Sequence, residues 1–231
     1  MFVQKLLPAL ATSTVCSQAT AVVNSAADAS ALANCATIAG SIVIGPSATG
    51  IISIDGPEQI GGDLTCSDAG GLVSLGSTTI ASIGGSFALS NLTLLSTLNM
   101  ASLKSVQIIN WSALPALSQL SFTAVVSKAT SVTITNTFLS TLNGINLETV
   151  SVLDINNNNH LKTFSTRVAN VTSLLSISNA SSIEIPSLAV VNGSMGLYGN
   201  YITSLSALNL TTVGYTDSNL RQGSLAIVAN S

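Results

Sequence analysis

The stretch Phe87-x-Leu89-x-Asn91, Val106-x-Ile108-x-Asn110, Val132-x-Ile134-x-Asn136, Leu153-x-Ile155-x-Asn157, Leu175-x-Ile177-x-Asn179 repeats one phrase, apolar-x-apolar-x-polar. Met195-x-Leu197-x-Gly199 and Tyr215-x-Asp217-x-Asn219 continue it, and Ile42-x-Ile44-x-Pro46 and Leu64-x-Cys66-x-Asp68 precede it as weaker copies. Counted from 46, the closing positions step by 22, 23, 19, 26, 21, 22, 20 and 20 residues, the period of a solenoid. Alternation makes each phrase a short strand with one buried face. An Asn that closes the strand turns the chain by bonding nearby backbone with its amide.

Most copies carry two more apolar residues about three apart, such as Leu95 and Leu98, Leu139 and Leu142, Leu161 and Phe164, or Ile202 and Leu205. One such turn cannot bury its own apolar face, whereas stacked copies share a continuous core. The expected fold is therefore all-β, a parallel β-solenoid of about eight or nine coils of roughly 20–23 residues. The 26-residue step implies an insertion around Ser127 to Ser131. Gly61-Gly62, Gly70-Gly71 and Gly84-Gly85 match no phosphate-binding loop and read as corners where glycine permits positive φ.

Of the 231 residues 47% are hydrophobic and only 6% charged, with a net charge of −3, so Ser, Thr and Asn carry the polarity. That balance argues against a disordered chain, and six Lys plus Arg without a basic cluster give nucleic-acid binding no electrostatic basis. No stretch approaches the roughly 20 apolar residues of a membrane-spanning helix. A chain so poor in charge needs another source of hydration, and glycans are the obvious one.

Residues 1–18 read as a secretory signal, with Lys5, a short apolar core from Leu6 to Ala11, and a cut near Cys16. Residues 19–231 then form a single solenoid domain, with 19–40 as its N-terminal cap. Cys16 and Cys35 flank an alanine-rich segment with Ser25 three residues before Asp28, which suggests a short capping helix closed by a disulfide. Cys66 falls on the apolar side of its strand and reads as a buried small hydrophobe. Six Asn-x-Ser/Thr sequons begin at Asn91, Asn110, Asn170, Asn179, Asn192 and Asn209. Asn91, Asn110 and Asn179 also occupy closing positions, where the amide is wanted for the turn, so Asn170, Asn192 and Asn209 are the stronger glycan sites.

The blocks Asn110-Trp111-Ser112-Ala113-Leu114-Pro115-Ala116-Leu117, Leu120-Ser121-Phe122-Thr123, Thr141-Leu142-Asn143-Gly144-Ile145-Asn146-Leu147 and Ile155-Asn156-Asn157-Asn158 carry a resemblance. They are similar to the fungal GPI-anchored cell-wall organisation proteins related to the sporulation-specific surface proteins. The resemblance implies a receptor-L-like, leucine-rich-repeat-like solenoid, N-glycosylated, held at the cell surface, needed for wall integrity and not an enzyme. It also implies a GPI anchor, but the chain ends at Ala229-Asn230-Ser231 with no hydrophobic tail, and so reads as C-terminally truncated relative to the family.

No constellation for chemistry is legible, and no cofactor, metal or catalytic residue is expected. A glycosidase needs two carboxylates about 5–10 Å apart, and Asp154 has no acidic neighbour in its outward row, while Glu148 and Glu184 lie in other segments. His160 is the single histidine and reads as an exposed turn residue. Trp111 is the candidate glycan contact, because an exposed tryptophan stacks on sugar faces; the alternative has it packed at a corner with Pro115. The leading expectation is a non-catalytic wall protein. A module binding wall polysaccharide or a host ligand is the second, and a polysaccharide-active enzyme the third.

Overall fold

The computed structural model describes residues 14–199, 202–214 and 223–229. Strands Thr20–Val23, Ser41–Ile44, Leu64–Ser67, Ser82–Ser90, Ser105–Leu114, Ser131–Thr137, Thr149–Asn156, Asn170–Ser178, Ser194–Gly199 and Leu225–Ala229 lie side by side in that order, every pair parallel. Parallel neighbours need a connection that travels round and returns. The result is a β-solenoid of about nine turns. Two inward columns run its length, Ile42-Leu64-Phe87-Ile109-Val132-Leu153-Leu175-Met195 and Ile44-Cys66-Leu89-Trp111-Ile134-Ile155-Ile177-Leu197, and every member is buried. Each apolar rung of this kind contributes about 1.5–3 kcal/mol of burial.

One coil differs from the sequence reading by a half-turn of parity. Ile109 stacks between Phe87 and Val132, and Trp111 between Leu89 and Ile134, so the phrase is Ile109-x-Trp111-x-Ala113. Ile108 faces outward, 39% exposed. The cause is a shorter corner: two residues, Gly84 and Gly85, separate Ile83 from Ser86, whereas Gln107 alone separates their partners Val106 and Ile108. A one-residue slip moves every side chain to the opposite face.

The corrected register also regularises the period. Asp68, Asn91, Ala113, Asn136, Asn157 and Asn179 all close their strands with positive φ, at spacings of 23, 22, 23, 21 and 22 residues. The 26-residue step and the insertion around residues 127–131 therefore disappear. Ala113, at φ 53°, is the member without a side chain suited to the left-handed region.

The corner glycines are required for another reason than the sequence suggests. Gly61 and Gly84 do not have positive φ; a Cβ on Gly84 would run into the Gly61 carbonyl, and one on Gly61 into the Ala39 carbonyl. Coils nest there backbone on backbone.

A second side of the solenoid carries the four-stranded sheet Thr49–Ser53, Gly71–Ser77, Thr97–Met100 and Leu120–Ser121, then the three-stranded sheet Thr163–Ser165, Ser182–Glu184 and Ser204–Ser206. The coil between them, residues 138–147, adds no strand, so the side is broken at that point. Helix Ala26–Ala31 packs on the first coils, capped by reciprocal bonds: Ser25 Oγ accepts from the Asp28 N–H, and Asp28 Oδ2 accepts from the Asn24 N–H and Ser25 Oγ. The Asn24 N–H first, then Ser25, holds the Asp28 carboxyl below its ordinary pKa.

The strand that stacks on Ser194–Gly199 is Leu225–Ala229. Tyr215-x-Asp217-x-Asn219 and the first 13 residues of the leader lie outside the described residues.

Ala113→Asn should stabilise the protein by roughly 0.5–1 kcal/mol, recovering part of the cost of a left-handed alanine. Urea unfolding reads this as a higher midpoint at constant slope; an unchanged or lower midpoint would contradict the assigned closing position.

Candidate functional site

Trp111 is not a surface residue. It is fully buried, with its ring edge-to-face with Phe87 at 5.5 Å and with Phe122 at 6.2 Å between centroids. Its Nε1 has no hydrogen-bond partner. The expectation that Trp111 contacts a glycan is therefore overturned; Trp111 is packed, as the alternative had it, with Phe87 and Phe122 as its ring neighbours in the core. The parity slip at Gln107 turns the indole into the core.

The same slip rewrites the outward face of the long sheet. Its rows are Thr65, Ala88, Asn110, Thr133, Asp154, Ser176 and Gly196, and beside them Ser67, Ser90, Ser112, Thr135, Asn156, Ser178 and Tyr198. Asn110 and Ser112 stand where the phrase Val106-x-Ile108-x-Asn110 would have put Gln107 and Ile109. Hydroxyls and amides bond along and between the rows: Ser90 Oγ donates to Ser67 Oγ at 2.8 Å within one row, and Asn156 Nδ2 donates across to Ser176 Oγ at 3.0 Å and to Asp154. Tyr198 is 45% exposed, and its ring lies over Gly196, where any side chain would collide with it.

Asp154, Glu184 and Glu148 lie on separate segments. Asp154 stands on the long sheet, Glu184 ends the strand Ser182–Glu184 on another side, and Glu148 precedes Thr149–Asn156. Among the described residues no three of His, Cys, Asp and Glu come together around a metal position. Cys16 and Cys35 are joined as a disulfide with Cα atoms 5.5 Å apart. Cys66 is free and buried, and burial, helped by the charge of Asp68, pushes its thiol up to about 12.

The surface is indented where the second side is broken. A cleft of about 800 Å³ opens between residues 140–146 of one coil and residues 160–167 of the next. His160, Lys162 and Arg167 line it with Thr141, Asn143 and Thr163, and no carboxylate does. His160 is an exposed turn residue, as its sequence context suggests, but its ring rests on Phe138 with centroids 3.5 Å apart. Lys162 and Arg167 gave no signal in the sequence, because no repeat position marks them.

The sequons divide by what their amides do. Asn91 Nδ2 donates to Asp68 at 2.7 Å, and Asn179 Nδ2 to Asn159 at 3.0 Å, both from left-handed closing positions. Asn110 is no closing residue; it is exposed on the outward face. Asn170 and Asn192 are exposed, and so is Asn209, whose Nδ2 donates to the Pro186 carbonyl at 2.7 Å.

Comparison with known proteins places this solenoid among fungal surface proteins. Protein ecm33 of Aspergillus fumigatus is 35% identical over 92% of the chain and 61% of its own length. A cell surface GPI-anchored protein of Arthroderma benhamiae is 33% identical over 81% of the chain and 54% of its own length. The chain belongs to this family of fungal cell-wall and sporulation surface proteins. Sporulation-specific protein 22 of Saccharomyces cerevisiae, 26% identical over 88% of the chain, is a more distant relative. The chain spans between about half and 61% of the length of these relatives. Their names are those of cell-wall and cell-surface proteins and none is that of an enzyme. No protein-family model matches the chain, and no solved structure matches it. No helix among the described residues is long and apolar enough to cross a membrane.

The raised Cys66 pKa sets a pH dependence. A thiol whose pKa rises from 9.0 unfolded to about 12 folded stabilises the fold fully below about 9, and that contribution is lost as pH climbs from 9 to 12. Cys66→Ala should flatten the fall in unfolding midpoint between pH 9 and pH 12 relative to the parent chain; parallel curves would show that Cys66 is not the group responsible.

Proposed function

We propose that this chain is a non-catalytic, N-glycosylated surface protein that contributes to the organisation and integrity of the fungal cell wall. The observation that carries this reading is its kinship with wall proteins, over a solenoid whose long sheet shows the outside mainly hydroxyls and amides. Such a face is wetted without charge and offers hydrogen bonds to a polysaccharide matrix. Asn170, Asn192 and Asn209 come from successive coils and are exposed, which suits glycans, and Asn110 joins them; Asn91 and Asn179 stand at left-handed strand ends, each donating Nδ2 to a side chain of the coil before, Asp68 and Asn159. The Asn209 bond to Pro186 survives glycosylation, because the substituted amide keeps one N–H. A leader cut at residue 18 would remove Cys16, so the boundary that suits the disulfide lies ahead of it.

A second reading, a module that binds wall glycan or a host ligand on a solenoid face, loses Trp111 as its support. Tyr198 replaces it: an exposed ring lying along the sheet, beside Ser178 in the neighbouring coil, is a platform on which a sugar face can stack. The GPI anchor in the relatives' names is part of the proposal for the whole protein.

Deleting the gene should sensitise cells to a wall-binding dye, with resistance restored by re-expression. The purified secreted chain should release no reducing ends from isolated wall glucan or chitin. Unaltered dye sensitivity in the deletant would overturn the wall role, and released sugar would overturn the non-catalytic claim.

A further inference from the structure

The cleft between residues 140–146 and 160–167 combines two features that occur together nowhere else among the described residues. The first is the broken side. Everywhere along it, coil follows coil through a parallel ladder, but the coil of residues 138–147 supplies no strand to Thr163–Ser165. Its backbone turns back instead to the coil before, where the Val126 N–H donates to Gly144 and the Asn146 N–H to Val126. Leu142 and Ile145 pack on the core beneath, so the gap is floored with apolar residues and open above.

The second feature is charge. On a chain with a net charge of −3, two of the six Lys and Arg and the only His line this one cleft. The outward rows of the long sheet carry no cation at all. Phe138 backs the His160 ring, which holds the imidazole at the rim. Thr141, Asn143, Asn146, Thr163, Ser165 and Thr166 surround the cations with hydroxyls and amides.

We infer that this cleft binds a phosphate-bearing saccharide, with Lys162 and Arg167 on the phosphate, His160 beside it, and the flanking hydroxyls and amides on the sugar. A phosphate ester carries about −1.5 to −2 charges, which suits more than one cation. Arg offers it a bidentate fork and Lys a point charge. A volume of about 800 Å³ exceeds that of a bare anion and is within the range of small-ligand pockets. The choice of a saccharide, in place of another phosphorylated molecule, rests on the cell-wall reading; the anion site itself does not.

The test uses the full secreted chain and soluble probes: hexose 6-phosphates, the parent hexoses, glucuronate and inorganic phosphate, with affinities measured by calorimetry. Hexose 6-phosphate should bind most tightly, and Lys162→Gln with Arg167→Gln should weaken it about tenfold or more. Both side chains are exposed, so the thermal midpoint should not move. Lys104→Gln, outside the cleft, should leave the affinity unchanged. Equal binding by the parent chain and the double variant would overturn the site. Inorganic phosphate or glucuronate binding as tightly as hexose phosphate would overturn the ligand class. Neither result touches the dye sensitivity of the deletant, so the wall role and this site stand or fall separately.

Discussion

Like-on-like stacking between coils is the constraint on which the rest depends. Each turn buries its two inward residues only because the turn before and the turn after present theirs at the same height, as Leu89, Trp111 and Ile134 do. A coil whose parity slipped would expose two apolar rungs and bury two polar ones, a loss no local hydrogen bond offsets. The chain meets this constraint with a left-handed residue at six successive strand ends, Asp68 to Asn179, and with bare backbone at the glycine corners, so the strand can restart in register.

Much of this was legible in the residues. The alternation of apolar positions and a period near 22 gave the parallel solenoid, and Ser25 with Asp28 gave the capping helix. The coil around Trp111 was misread for a physical reason. Val106 and Ile108 alternate as convincingly as Ile109 and Trp111, and Asn110 resembles a closing residue while Ala113 does not. Only the partner strands show that Gln107 makes a corner alone. The error then spread, since it implied an insertion, assigned Asn110 to a turn and left Trp111 outside.

The surface was less legible than the core because the repeat fixes which side chains face outward but not what they assemble into. Tyr198 stands out only once its ring is seen over Gly196. His160, Lys162 and Arg167 follow no repeat spacing, and the loop that faces them comes from the preceding coil, where it replaces a strand. A break in a periodic structure leaves no periodic signal. A fold that is otherwise one repeated contact is irregular at this point, and Lys162, Arg167 and the single histidine are found there.

The chain has one tryptophan, which makes its register accessible to a single optical measurement. Steady-state emission of the folded protein, with acrylamide as quencher, reports whether the indole is in the core between Phe87 and Phe122 or on the outside. The parity assigned to this coil predicts a blue-shifted emission that acrylamide hardly quenches until the protein unfolds. Emission and quenching like those of free tryptophan in the folded state would contradict it, and with it the stack on which this account is built.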